Sequence, residues 1–373
     1  MSEFSAQDYQ FMARALQLAA RGRFTTPPNP NVGCVIVQQG HIIGEGFHVR
    51  AGEGHAEVNA VRDAKSKGHS LVGARCYVTL EPCCHFGRTP PCAQLLIDEK
   101  VGSVVMAMRD PNPRVCGGGK SMLEAAGIQV ASGLMAEQAE QLNRGFLMRM
   151  RQNRPYIRLK IATSLDGRTA LSNGKSQWIT GPLCRQDVQR ERAQSHAILS
   201  TAQTVIDDQA SLNVRPQEMR SLGHTIVADV RQPIRVIIDR RQRLTGHERL
   251  FELPGRIIRV TTRQPNHELG ESLVVPKSEH WLQAVLTQLA QLEINDLWVE
   301  AGMNFSGALL KEQLVDELVW YHSSQLLGNS ARGMAEIGCL DELSQALSWT
   351  LLEQVQIGDE FKYRYRSRLQ KAS

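Results

Sequence analysis

The apolar positions of this chain alternate between a helical and a strand period. Tyr9, Met12, Leu16, Ala19 and Ala20 recur every three or four residues, as on a helix with one buried face. A β-branched run follows at residues 32–37, Gln39-Gly40 turns the chain, and residues 42–47 supply a hairpin partner. The helical period returns at residues 55–65. Residues 76–80 read as a buried strand that runs straight into Glu81-Pro82-Cys83. Pro90-Pro91 opens a helix over 92–99, because proline is tolerated in a first turn. A strand at 101–108 ends at Asp110-Pro-Asn-Pro113. This succession predicts a three-layer α/β domain over residues 1–150.

Residues 144–156 break the pattern. They are polar and basic (Arg144, Arg149, Arg151, Arg154, Pro155) and read as an inter-domain connection with solvated arginines. A second α/β pattern begins at Tyr156. Its strands are expected at 157–162, 197–199, 235–239, 257–261, 273–275 and 297–300, with helical stretches at 282–292 and 309–318. A chain of 373 residues exceeds one ordinary core, so a second domain over 151–373 is expected. The two halves share no motif.

Composition narrows the setting. With 42% hydrophobic and 22% charged residues, the chain has the make-up of a soluble globular protein. No stretch is apolar enough to span a bilayer. The first nine residues carry neither a basic nor an apolar leader segment, so no signal peptide and a cytoplasmic location are expected. The net charge of +5 suits a small anionic ligand as well as RNA. The eight cysteines are not spaced as a disulfide framework, and in a reduced compartment a Cys/His cluster favours metal or catalysis.

That cluster is His55-Ala-Glu57 with Pro82-Cys-Cys-His-Phe-Gly-Arg-Thr-Pro-Pro-Cys92. It offers one imidazole, thiolates and one carboxylate, the set for a zinc ion with an open coordination position and an acid/base group beside it. The H-x-E…P-C…C order resembles the signature of zinc-dependent nucleobase deaminases. His55 and Glu57 would both reach a site beyond their helix only from its first turn, where side chains lean toward the N-terminus. Cys83 and Cys92 would complete the ligand set, with Glu57 moving the proton. A closed structural zinc is the other reading, with Cys84 or His85 as a fourth ligand. Cys34, Cys76, Cys116, Cys184 and Cys339 read as core or incidental thiols. Eight residues separate Cys83 from Cys92, and this insert, with Arg88 and Thr89 as phosphate-binding candidates, reads as a recognition loop.

In the second half no G-x-G-x-x-G follows a strand, so a standard Rossmann site is unsupported. The best phosphate cradle is the strand at 297–300 followed by Gly302-Met-Asn-Phe-Ser-Gly307.

These motifs together resemble a known family. Pro28-Asn-Pro-Asn-Val-Gly33, His55-Ala-Glu57, Glu81-Pro-Cys83, Gly87-Arg-Thr-Pro-Pro-Cys92 and Asp110-Pro-Asn112 are similar to the deaminase half of the bifunctional riboflavin-biosynthesis deaminase–reductases. Lys160-Ile-Ala-Thr-Ser-Leu-Asp-Gly-Arg168, Ser176-Gln-Trp-Ile-Thr180 and Val299-Glu-Ala-Gly302 are similar to their dihydrofolate-reductase-like half. The resemblance implies a cytidine-deaminase-like domain followed by an NADPH-dependent α/β reductase domain. It implies removal of the ring 2-amino group from a diaminopyrimidinone bearing a ribosylamino phosphate, then reduction of the ribosyl group to ribityl. His55, Cys83 and Cys92 carry over as zinc ligands and Glu57 as proton donor.

In the reductase half, Ala162, Trp178, Thr204 and Asp208 fall at NADPH positions by the same resemblance. So do Gly302, Met303, Asn304, Phe305, Ser306 and Gly307. Ser176, Arg192, Leu212, Arg215 and Glu300 fall at substrate positions, while Lys160 and Asp166 are supporting residues. Two departures stand out: Gln209-Ala210 lacks the family's Asp-Pro, which predicts a looser loop, and Met303 replaces a proline or glycine. A small phosphorylated pyrimidine is the expected partner, without nucleic acid or membrane, in a homo-oligomer (dimer or tetramer). A nucleoside or tRNA deaminase and a zinc-stabilised binding protein are the competing classes.

Overall fold

A computed structural model describes residues 4–85, 90–112, 116–220, 230–265 and 269–368. The described chain divides into two compact units at Gln152/Asn153.

The first unit contains α1 (Ala6–Arg21), β1 (Gly33–Gln38), β2 (His41–Phe47), α2 (Ala56–Ser66), β3 (Arg75–Val78), α3 (Cys92–Asp98), β4 (Ser103–Met106), α4 (Gly118–Ala125), β5 (Gln129–Ser132), α5 (Ala136–Leu142) and α6 (Arg144–Gln152). Its sheet runs β2-β1-β3-β4-β5. The hairpin β1–β2 and the pair β1–β3 are antiparallel, and β3, β4 and β5 are parallel. One face packs Ala60, Val61, Ala64 and Leu96 from α2 and α3, and the other packs Met12, Leu16, Phe146 and Leu147 from α1 and α6. The expected three layers are therefore present. Ser5 starts α1 by accepting from the amide of Asp8, whose carboxylate accepts in return from the Ser5 amide. Residues 144–156 do contain the boundary between the units, but they are not an irregular polar connection throughout. Most of them form α6, because Phe146 and Leu147 bury one face while the arginines line the other.

The second unit contains β6 (Tyr156–Thr163), β7 (Arg168–Ala170), α7 (Pro182–Gln194), β8 (Ala197–Thr201), α8 (Ala202–Asp208), α9 (Pro216–Arg220), β9 (Ile234–Ile238), β10 (Ile257–Thr261), β11 (Glu271–Val274), α10 (Trp281–Gln291), β12 (Asp296–Glu300), α11 (Met303–Lys311), β13 (Glu317–His322), β14 (Arg332–Gly333), β15 (Trp349–Ile357) and β16 (Glu360–Ser367). The nine-stranded sheet runs β11-β10-β9-β8-β12-β6-β13-β16-β15. It is parallel from β11 to β13, and β16 and β15 close it antiparallel. α10 and α11 cover one face; α7 and α8 cover the other.

Two expectations change here. The stretch 309–318 is not one helix: α11 stops at Lys311 and Glu317 opens β13. The hairpin β15–β16 had no counterpart in the sequence reading, because β15 is exposed along most of its length and carries no clean apolar alternation.

Parallel strands of such a sheet place their carboxyl ends in one row, where ligands bind in open α/β sheets. Lys160, Thr201, Asp239, Thr261 and Glu300 lie at or near these ends.

Candidate active sites

In the first unit, His55 is the N-cap of α2 and Glu57 lies in the first turn. This placement lets both side chains face a point beyond the helix end despite their spacing of two. Cys83 follows β3, and Cys92 opens α3. His55 Nδ1 lies 3.6 Å from Cys83 Sγ and 3.3 Å from Cys92 Sγ, and the three ligand atoms fall within 4.8 Å of one another. Tetrahedral zinc with Zn–S of about 2.3 Å and Zn–N of about 2.0 Å separates such atoms by roughly 3.5–3.8 Å. The donor set and its spacing therefore fit zinc.

The closed four-ligand reading is not supported. Among the described residues the cluster contains only His55, Cys83 and Cys92. Cys84 Sγ points at α4, only 2.5 Å from where a Cβ on Gly118 would sit, and His85 is exposed. Arg88 and Thr89, the phosphate candidates of the insert, lie outside the described residues.

The electrostatics match the chemistry. Burial, aided by the charge of Cys83, pushes Glu57 up to about 7. A hydrogen bond from the Cys92 thiol pulls Cys83 down to about 4, with help from His55 and the Cys92 amide, while Cys92 as donor is pushed up. A carboxyl poised near neutrality beside a metal site suits a group that takes and returns a proton.

Two supports around the ligands were not evident in the sequence. His48, buried and edge-on to His55 at 5.4 Å between ring centroids, contacts the Gly54 carbonyl through Nδ1 (3.1 Å). Its Nε2 lies 3.0 Å from the Asn29 amide nitrogen, within the Pro-Asn-Pro-Asn motif. Burial lowers the His48 pKa, so the neutral ring donates to Gly54 and accepts from Asn29. Glu81, also buried, accepts from the amides of Lys120 (3.0 Å), Gly117 (3.1 Å) and Asp110 (3.3 Å). It thereby clamps the strand end that bears Cys83 to the start of α4. That approach needs glycine: a Cβ on Gly119 would lie 1.9 Å from the Pro82 carbonyl oxygen.

In the second unit the candidate residues form one connected group and several separate contacts. Arg192 and Glu300 make a bidentate ion pair, at 2.6 Å and 2.9 Å, with 11% and 13% of their side chains exposed. Arg192, expected at a substrate position, thus directs its fork to Glu300, which was expected at a substrate position too. Glu300 also accepts from Trp298 Nε1 (2.8 Å). The Arg192 pair outweighs burial and holds Glu300 down at about 2. Half-buried Lys160 faces Glu300 and Asp208; burial lowers its pKa against their attraction. Ser176 donates to Asp208 (3.1 Å), and Arg192 donates to the Asn213 carbonyl (3.0 Å), which ties the 211–215 segment to the group.

The other candidates make contacts of their own. Trp178 is 64% exposed under the Arg185 guanidinium. Thr204 contacts Thr201, and Ala162 and Leu212 join the core beneath α7. Arg215 pairs with Glu218. Asp166 accepts from Ser164 and from the amides of Leu327 and Gly328, so it pins a loop. The segment at Gln209-Ala210 is not loose: the Ala210 amide donates to Val205, and Ser211 bonds Asn213.

The supposed glycine loop is mostly helix, since α11 begins at Met303. Gly302 and Asn304 are exposed at its start, Met303 accepts from the Glu336 amide, and Phe305 and Ser306 turn inward. Gly307 also allows close packing, because a Cβ there would lie 2.0 Å from the Glu336 carbonyl oxygen.

A zinc-ligand cluster with an adjacent buried carboxylate, followed by a parallel-sheet unit with a polar row of strand ends, defines a deaminase joined to a reductase. Residues 5–108 match the family model for the cytidine and deoxycytidylate deaminase zinc-binding region, and residues 155–363 match that for the RibD C-terminal domain. The chain belongs to the RibD family of bifunctional riboflavin-biosynthesis deaminase–reductases. It is 49% identical to riboflavin biosynthesis protein RibD of Haemophilus influenzae, over 98% of this chain and 99% of that one. It is also 49% identical to RibD of Escherichia coli K12, over 95% and 98%. Among solved structures, Acinetobacter baumannii RibD is similar at a TM-score of 0.88 and 43% identity, covering 97% of this chain and 99% of that one. The Thermotoga maritima diaminohydroxyphosphoribosylaminopyrimidine deaminase/5-amino-6-(5-phosphoribosylamino)uracil reductase is similar at 0.86 and 33%, covering 97% and 99%. Among the described residues no helix is long and apolar enough to cross a membrane.

Proposed function

We propose that residues 1–150 hydrolyse the 2-amino group of 2,5-diamino-6-(5-phosphoribosylamino)pyrimidin-4(3H)-one, and that residues 151–373 reduce the ribosyl group of the product with NADPH. The observation that carries the first step is the three-ligand cluster with Glu57 beside it. Zinc held there supplies Lewis acidity that makes water a nucleophile at neutral pH. His55, Cys83 and Cys92 would hold the ion, and Glu57 would take a proton from water and deliver it to the departing amine. One water is consumed: its oxygen bonds to ring C2, the exocyclic C2–N bond breaks, ammonia leaves and C2 becomes a carbonyl.

In the reductase half the residues bind and orient. Gly302, Met303 and Asn304 at the start of α11 would hold the cofactor together with Trp178, Thr204 and Asp208. Ser176, Leu212, Arg215 and the Arg192–Glu300 pair would shape the ribosyl site, where Lys160 would hold a proton for the oxygen released on reduction. The chain acts in the cytoplasm as a homo-oligomer on a small phosphorylated pyrimidine, without nucleic acid. Similarity along both halves disfavours a nucleoside or tRNA deaminase, which would leave the second unit unexplained.

Glu57→Gln tests the assignment. Bound zinc should stay stoichiometric by elemental analysis, and ammonia release should fall about 10²–10⁴-fold, the range of general acid–base catalysis. NADPH oxidation with the deaminated intermediate should persist. Loss of both activities, or of neither, overturns the two-site reading.

A further inference from the structure

Strand β16 holds helix α7 along its length. Glu360, Lys362 and Arg364 alternate along β16 and all meet α7, as the strand period requires. Lys362 Nζ lies 2.7 Å from Asp187 and 2.6 Å from Glu191, and Arg364 Nη2 lies 2.9 Å from Glu191. These pairs fix the middle and the last turns of the helix. Glu360 meets its start: both carboxylate oxygens accept from the Gly181 amide, at 2.9 Å and 2.8 Å.

The start of α7 cannot cap itself. Its N-cap is Gly181, which has no side chain to offer, and Pro182 follows without an N–H. The capping carboxylate therefore comes from a distant strand, where it also complements the positive end of the helix. Glycine admits this approach, since a Cβ on Gly181 would lie 3.2 Å from Glu360 Oε2. Glu360 is available for it. Among the described residues it forms no ion pair, and the turn Gly358-Asp359, with Gly358 at φ 64°, delivers it as the first residue of β16.

Ahead of Gly181 runs the segment 176–180, which carries Ser176 and Trp178 and has no helix or strand of its own. Its first residue is tied to Asp208 through the Ser176 hydroxyl (3.1 Å). Further on, the Ile179 carbonyl accepts from Gln325 Nε2 (3.4 Å) and the Thr180 carbonyl from Arg185 (2.7 Å). Trp178 is exposed and meets only the Arg185 guanidinium, which itself belongs to α7. The Gly181–Glu360 contact is thus the charge-assisted bond that joins the α7 end of this segment to the sheet.

We propose that Glu360 is a positioning residue for the reduction: through the Gly181 amide it holds residues 176–180 in the conformation that receives cofactor and substrate. This rests on the placement of Ser176 and Trp178 proposed above. An unanchored segment must be ordered at the moment of binding, and that cost appears in KM. A merely structural loss would lower the folded fraction, and with it kcat, and leave KM alone.

The test uses the full zinc-loaded chain with Glu360→Ala, Glu360→Asp and Glu360→Gln, in steady state with NADPH and the deaminated intermediate. In Glu360→Ala, KM for both should rise about tenfold, the loss of one charge-assisted bond, with kcat changed by less than about threefold. Glu360→Asp keeps the charge but withdraws it by a methylene, and should match Glu360→Ala; it carries the test if the alanine variant does not fold. Glu360→Gln keeps an oxygen at the Gly181 amide and should hold KM within about threefold of the wild type. Ammonia release by the first unit should be unchanged throughout. Unchanged KM in the alanine and aspartate variants, or a glutamine variant as impaired as the alanine one, overturns the proposal. Trp178→Ala separates the two levels. If it raises KM while the Glu360 variants do not, only the positioning role fails. If none of them raises KM, the placement of cofactor and substrate at this segment fails as well.

Discussion

The two units hold their candidate chemistry in opposite ways. In the first, the reactive side chains point at one another across a space suited to a metal ion. The backbone around them is clamped by residues such as Glu81, which touch no ligand atom. In the second, the charged side chains are largely spent on each other: Arg192 on Glu300, and Arg158, Lys362 and Arg364 on Glu191 at 2.7, 2.6 and 2.9 Å. Deamination needs particular donor atoms converging on one point. Hydride transfer needs chiefly a shaped surface on which cofactor and substrate meet. The difference therefore follows from what each reaction requires of its protein.

The sharpest way to break this contrast is to open the ion network of the second unit. Glu191→Ala leaves Arg158, Lys362 and Arg364 without their shared buried partner, and should cost about 3–5 kcal/mol of that unit's stability. Thermal melts read the loss, and the zinc content of the first unit should not change. The network also fixes a pH dependence. Burial pushes the Glu191 carboxyl up, but Lys362, Arg364 and Arg158 together outweigh it and hold it well below its ordinary value of 4.5. A folded-state pKa below the unfolded one means stability that is fully present above about pH 4.5 and is lost as pH falls beneath it. Denaturant melts between pH 7 and 3.5 should show the decline. In Glu191→Ala the decline should be shallower, and an unchanged pH profile would count against the network.

A smaller effect is expected from Glu81→Gln. The amide places an N–H where one of three backbone donors now finds an oxygen, which loosens the segment bearing Cys83. Zinc affinity should drop about 10- to 100-fold by chelator competition, the usual consequence of losing support behind a ligand. Reductase activity should be retained. The smallest effect belongs to the exposed Arg256–Glu271 pair at 2.8 Å. Arg256→Ala should cost about 0–1 kcal/mol in a urea melt and leave both activities intact. A larger cost would show that the surface of the second unit is coupled to its interior.

The chain order of the chemistry was legible because it is written in residue types. His55, Glu57, Cys83 and Cys92 stand out as an imidazole, a carboxylate and two thiolates at helix and strand ends, and the apolar periods placed those ends within a few residues. Less was legible in the second unit. The pairing of Arg192 with Glu300 was not legible, because the two stand 108 residues apart. Gly302–Gly307 read as a loop, but Met303 already begins α11, and the carbonyl that Gly307 admits belongs to distant Glu336. Residues 144–156 read as a linker because two buried apolar side chains among many polar ones leave little periodic signal.

By itself the sequence determined the alternation of helices and strands, the identity of the metal donors and the two-part organisation, because these depend on local period and on the chemistry of single side chains. Only the tertiary structure decided that Cys84 turns to Gly118 and away from the ligands, that Glu81 and His48 brace the site, and that Arg192 is committed to Glu300. Those are pairings between distant residues, and burial determines their energy. A carboxylate or guanidinium costs little in water, but once enclosed it must find a partner, and which partner it finds is a property of the fold.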